Sequence, residues 1–255
     1  MSSTAKNPAS PVASPLEGRR VVVMGGSSGI GEATAAFFAA DGAEVVITGR
    51  DQGRLDAAAA RIGGKVSAYR VDAGDPEAVD AFFAGFGAVD HLILALSGAK
   101  GGGPFAELDL ADLAAGFDGK FWPHVRVLKA ALPTLGRDGS VTLVTAASAH
   151  AALPGTAGLA AINGALQAMV PPLAVELAPL RVNAVAPGLV DTPWWDGVPD
   201  EQRKALFEKV GAATPVGRVG RPEEVARAIH MLAANGFITG VVLDATGGAN
   251  LATGR

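Results

Sequence analysis

The segment Gly25-Gly26-Ser27-Ser28-Gly29-Ile30-Gly31 is the stretch of this sequence best suited to ligand chemistry. It follows a β-branched run, Val21-Val22-Val23, and precedes a stretch that reads as a helix from about Glu32 to Ala40. A glycine-rich turn at such a junction lets the main chain approach a pyrophosphate. It also aims the unpaired amides and the positive dipole end of the helix at the phosphates. A tight turn for packing alone is the plainer reading, but the place between first strand and first helix favours nucleotide binding. Other reactive groups are scarce: there is no Cys, there are four His, and the sole Tyr is Tyr69. Without Cys there are no disulfides, thiolate nucleophiles or Cys-ligated zinc, and no metal site is expected.

The elements that must position this turn alternate along the chain. Val45–Ile47, Val66–Val71, His91–Leu96, Ser140–Thr145, Arg181–Val185 and Thr239–Leu243 read as further strands, with Ala-rich helical stretches between them. Among these are helices through Leu55–Ile62 and near Pro76–Phe83. The strands lack polar alternation, as parallel strands covered on both faces do. The order predicts an α/β fold, a single domain with a doubly wound parallel sheet of the Rossmann type. Pro171-Pro172 falls inside an expected helix from about Gly158 to Ala178, and leaves open whether that helix bends or splits.

The chain has 255 residues, of which 49% are apolar and 18% charged, enough for one large core. Its 34 glycines are roughly twice the usual share. A formal charge of −4 argues against nucleic acid as a partner. No apolar run approaches the ~20 residues of a membrane span, so no membrane association is expected. Residues 1–15, rich in Ser, Ala and Pro, read as a disordered tail, and residues 16–255 as the domain. These features together suit a soluble, cytoplasmic protein.

The turn GGSSGIG resembles the TGxxxGIG turn of the short-chain dehydrogenase/reductase family, with Met24 where the family usually has Thr. The resemblance extends over roughly Leu16 to Asn250. Arg181-Val182-Asn183-Ala184-Val185-Ala186-Pro187-Gly188 and then Thr192-Pro193 resemble the family's RVNxVxPG…TP segment beside the nicotinamide. Arg221-Pro222-Glu223-Glu224-Val225-Ala226, Thr239-Gly240 and Gly247-Gly248 resemble its C-terminal signatures. The resemblance implies a nicotinamide cofactor held by Gly25, Ser27, Ser28, Gly29, Ile30 and Gly31, by Asp72 beside the adenine, and by Pro187, Gly188, Val190 and Thr192. NAD sites place a carboxylate after the second strand, whereas a 2′-phosphate needs a cation there. That position is Gly49, followed by Arg50, so NADP(H) is favoured over NAD(H). Asp51 comes next, and a one-residue shift of register would reverse the preference.

The family's chemistry uses a Tyr acid/base, a Lys four residues later, a preceding Ser and an Asn. Pro154-Gly155 sets the register and puts Leu159 at the Tyr position, Asn163 at the Lys position and Ala146 at the Ser position. Lys120 falls at the Asn position. Tyr69, near the third strand and the adenine end, is not placed to substitute. The candidates that remain are Lys120, whose mainly apolar, Gly-rich surroundings would lower its pKa; Asn163; and Ser148 and His150 on the loop after the fifth strand. Lys120 could equally be a snorkelling surface lysine, and His150 merely solvated. Trp194-Trp195 open a lid segment near 192–211.

Three readings stay open: an NADP(H)-dependent oxidoreductase with a non-standard active site acting on a small carbonyl, alcohol, enone or imine; a catalytically inactive cofactor-binding or scaffold protein; and a non-redox enzyme in the same pocket. The Leu159–Ala168 run suits close helix packing, and a homodimer or homotetramer is expected.

Overall fold

The computed structural model describes residues 16–251, so the expected tail at 1–15 lies outside the described residues. Seven strands form one sheet: β1 (Arg20–Met24), β2 (Glu44–Gly49), β3 (Val66–Arg70), β4 (Val89–Leu94), β5 (Leu135–Val144), β6 (Arg181–Pro187) and β7 (Val242–Ala245). Their spatial order is β3-β2-β1-β4-β5-β6-β7, and every pair is parallel. The order reverses between β1 and β4, which opens a crevice at the carboxyl ends of those strands.

Continuous apolar strands require cover on both faces, and β1 shows how it is divided. Val22 and Met24 point into a core closed by α3 (Pro76–Phe86), α5 (Trp122–Ala131) and α6 (Ala157–Glu176). Val21 and Val23 point into a second core closed by α1 (Gly29–Ala40), α2 (Gln52–Ile62) and α8 (Pro222–Ala234). A short α4 (Leu110–Gly116) runs into α5 through a wide turn, and α7 (Asp200–Ala213) lies in the segment before α8.

Three expectations need correction. The last strand begins at Val242, not Thr239, because Thr239 and Gly240 are held at β6: Val182 N donates to Thr239 Oγ1 at 3.1 Å and Gly240 N to Val182 O at 2.8 Å. The segment Ala157–Glu176 is one unbroken 20-residue helix. Pro171 and Pro172 stand on its exposed side, where water can satisfy the carbonyls they leave without a donor. That helix also has the length and apolar composition of a membrane span, contrary to the sequence expectation, because it carries no charge before Glu176. Its Leu166, Val170 and Ala174 nevertheless belong to the core against the sheet.

Candidate functional site

The glycine-rich turn closes because its glycines cannot be anything larger. Gly25 sits at φ +90°, and a Cβ there would stand 2.5 Å from Ala95 O at the end of β4. A Cβ on Gly31 would run into Gly25 O. Gly25 N and Gly26 N both donate to Thr48 O at 3.0 Å, which pins the turn to the neighbouring strand. Ser28 takes the N-cap position of α1 but its side chain makes no capping bond, so Ser27, Ser28, Gly29 and Ile30 present an uncapped helix start at the crevice. This cradle, which any side chain would fill, fits a dinucleotide diphosphate.

Around the turn lie the other expected cofactor residues. The ideal Cβ of Gly49 would be 3.4 Å from Ser27 Oγ, so the last residue of β2 faces the turn and carries no carboxylate. Asp51 is occupied as the N-cap of α2, its Oδ1 accepting from Arg54 N at 3.0 Å. Arg50 is exposed, and Arg70 Nε donates to its carbonyl at 3.1 Å, which places two guanidinium groups on one edge. Asp72 follows β3 and accepts from Gly74 N at 2.9 Å. On the far side, Gly29 faces the Thr192 methyl, and Gly188 N donates to Ala245 O at 3.1 Å, holding Pro187-Gly188 at the end of β6. Val190 bridges Gly220, and its carbonyl accepts from Trp195 Nε1 at 3.0 Å. Trp195 packs edge-on against Phe207 of α7, while Trp194 is half exposed.

Lys120 lies on the wide turn Phe117–Phe121, where Trp122 N reaches back five residues to Phe117 O. Pro123 cannot donate to the carbonyl one turn behind it, and a widened turn accommodates that loss. The Lys120 side chain crosses to β5, and its Nζ donates to Thr145 O at 3.2 Å. The residue is half-buried, but its amine end is enclosed, and burial pushes the ammonium pKa down to about 8. One turn on, buried His124 sets Nδ1 2.8 Å from Lys120 O and Nε2 3.2 Å from Leu94 O. Burial, and then the Lys120 charge, hold His124 down to about 4.

Facing Lys120 across the end of β5, α6 presents Leu159, Asn163 and Gln167 at a spacing of four, on one stripe. Asn163 Nδ2 donates to Leu159 O at 2.9 Å and to Ser148 Oγ at 3.2 Å, and its buried Oδ1 has no partner among the described residues. Gln167 Nε2 donates to Thr145 Oγ1 at 3.0 Å and to Ala146 O at 3.1 Å. The structure therefore gathers Lys120, Ala146, Ser148, Leu159 and Asn163 at the carboxyl edge of β5. His150 turns the other way, its Nε2 3.1 Å from Asp244 Oδ1 on β7. Tyr69 stands on the outer strand β3, three strands from β4, with its ring against Phe82 and Phe86.

Sequence reasoning missed two residues of this cluster. Gln167 was recoverable as the next step of the 159–163 stripe, whereas His124 gave no signal apart from its spacing of four from Lys120. Other matched motif residues are struts. Arg181 donates to Leu232 O and Ala233 O at 2.6 Å each, at the C-terminal end of α8. Asn183 ties β6 to Ile238 and Val241. Glu224 closes the start of α8 by accepting from Arg221 N at 2.9 Å.

A parallel sheet with a glycine cradle at its crossover and a polar cluster at its carboxyl edge defines an α/β protein of the Rossmann type. A family model described as enoyl-(acyl carrier protein) reductase matches residues 25–250. The chain is 32% identical over 254 residues to the short-chain dehydrogenase/reductase ATR9 of Stachybotrys chlorohalonatus, covering 92% of this chain and 98% of that one. It is 30% identical over 246 residues to 3-oxoacyl-[acyl-carrier-protein] reductase FabG of Thermotoga maritima, covering 91% and 98%. A solved small-chain dehydrogenase in complex with NADPH superposes with a TM-score of 0.78 at 30% identity, covering 92% of this chain and 100% of that one. The chain belongs to the short-chain dehydrogenase/reductase family.

Proposed function

We propose that the protein is an NADP(H)-dependent oxidoreductase with a non-standard active site, in which Lys120 supplies the charge and proton beside a small carbonyl, alcohol, enone or imine. The observation that carries this reading is the Lys120 amine, enclosed at the carboxyl edge of β5 with a pKa pushed down to about 8. A lysine so placed exchanges a proton near neutral pH. Leu159 and Asn163 occupy the positions where the family places Tyr and Lys, and Tyr69 is on the wrong strand to replace them. Gly25–Gly31 would hold the diphosphate, Arg50 with Arg70 beside it the 2′-phosphate, and Asp72 the adenine. Pro187, Gly188, Val190 and Thr192 would flank the nicotinamide, with the lid segment 192–211 over the substrate and His150 at its margin. The cofactor, when bound, supplies or accepts the hydride; the chain's own residues orient the acceptor and handle the proton. We place the protein in the cytoplasm as a homodimer or homotetramer, without a nucleic-acid partner.

Parallel fluorescence titrations with NADPH and NADH test the cofactor assignment, with tighter NADPH binding expected and lost in Arg50→Ser. A panel of carbonyl, enone and imine acceptors then tests the chemistry. Lys120→Ala is expected to lower turnover by about 10²-fold or more with NADPH binding retained. An unchanged rate in that variant would refute the role of Lys120. The apolar Leu159 favours one rival, a cofactor-binding scaffold, which predicts NADPH binding and no turnover with any acceptor.

A further inference from the structure

The lysines of this chain do not share one environment. Lys100 Nζ stands 2.7 Å from Asp112 Oδ1 and Lys65 Nζ 3.8 Å from Glu44 Oε1. Among the described residues, no carboxylate lies within 4.0 Å of Lys120 Nζ, whose one hydrogen-bond partner is the neutral carbonyl of Thr145. The titratable group coupled to it is His124, which is buried and neutral at neutral pH. An ammonium normally depends on a carboxylate or on water, and this one has no carboxylate within ion-pair distance among the described residues. Its stem packs at Gly98, just past β4, and its amine reaches β5, so the group spans the edge where open α/β sheets take ligands.

We propose that Lys120 is a covalent nucleophile whose free amine condenses with an aldehyde or ketone to form an imine. The nitrogen adds to the carbonyl carbon, a C=N bond replaces C=O, and the two amine protons leave with the oxygen as water; nothing is oxidised or reduced. The free amine this requires is the form that burial favours, since it places half-deprotonation at about pH 8. The acceptor class follows. Reduction of a saturated imine would leave a stable secondary amine on the lysine. A protonated imine of an α,β-unsaturated aldehyde or ketone instead draws electrons from the β-carbon, and the lysine is released by hydrolysis. This rests on the proposed function in placing Lys120 against the substrate, and the charge and proton assigned to the lysine there are then carried by the protonated imine nitrogen.

The test uses the full chain without any nucleotide. Protein at pH 7 is treated with limiting propanal and cyanoborohydride, and N-propyl lysine is mapped by peptide mass spectrometry. Lys120 should be modified ~10-fold or more faster than the exposed Lys65, Lys204 and Lys209, because its free-base fraction is larger. Its labelling should rise to half-maximum near pH 8, and Lys120→Arg should carry no label at that position. Labelling of Lys120 no faster than that of the exposed lysines overturns the proposal. The NADPH titration separates the two ideas. Nucleotide binding without selective labelling removes the imine alone, while selective labelling without nucleotide binding removes the oxidoreductase reading alone.

Discussion

At the scale of single residues, Lys120 works against the stability of the fold that holds it. Its pKa is pushed down to about 8 from an ordinary 10.5 by burial, so between those values the unfolded chain binds more protons than the folded one. The lysine therefore costs stability fully below pH 8, and the cost fades as pH rises toward 10.5. Partial exposure of the residue screens the effect, and about 1–2 kcal/mol at pH 7 is the scale to expect. Lys120→Met, which keeps the apolar stem, should raise the urea midpoint at pH 7 and show a shrinking advantage above pH 9. No gain at pH 7 would mean that the ammonium is solvated and that its enclosure is not a constraint on the chain. Asn163 shows a similar tension, since its buried Oδ1 has no donor among the described residues while Nδ2 is bonded twice.

At the scale of elements, α6 is the helix that departs furthest from what its sequence recommends. Pro171 and Pro172 remove two backbone donors from its interior, yet the helix runs unbroken from Ala157 to Glu176 because Leu166, Val170 and Ala174 anchor it to the sheet on either side of them. Replacing both prolines by Ala should stabilise the protein by about 2 kcal/mol in urea unfolding, since an alanine restores the donor without filling core space. A neutral or destabilising result would mean that the outward face of α6 is shaped by the prolines for packing against another surface. This helix also marks where the sequence was legible and where it was not. The strands were readable because β-branched runs bounded by Gly-rich turns have few alternatives, and the cradle was readable because Gly25 and Gly31 sit at contacts no side chain survives. The wide turn at Phe117–Phe121 was not, because a π turn has no periodicity signature; Pro123 was its one visible cause. His124 was hidden for the same reason: its partners are main-chain carbonyls on β4 and in the turn, and carbonyls carry no residue type.

At the scale of the whole molecule, two buried histidines, His91 on β4 and His124 on α5, join strands and a helix in surroundings whose burial disfavours the charged ring. His91 on β4 sets Nδ1 2.8 Å from Ser140 Oγ on β5, and His124 spans α5 and the end of β4. Burial is the first cause in both cases and holds each at about 4, against an ordinary 6.5. Because the folded pKa is the depressed one, the unfolded chain takes up protons first as pH falls. Stability is then fully present above pH 6.5 and is lost progressively down to about pH 4. Each histidine is worth about 3 kcal/mol over that window, so the two together consume a large part of an ordinary domain's margin. Urea midpoints measured from pH 7 to pH 4 should fall steeply below 6.5, before the exposed carboxylates titrate. His91→Asn should remove roughly half of the slope, whatever its cost at pH 7, and should leave NADPH binding at pH 7 intact because β4 meets the crevice at Leu94 rather than at His91. His124→Asn should remove the other half and also shift the pH profile of Lys120 labelling, since its ring holds the carbonyl of that lysine. Equal acid slopes in wild type and both variants would place the sensitivity elsewhere, in the carboxylate pairs at the surface, and would separate the packing of the sheet from the titration of its site.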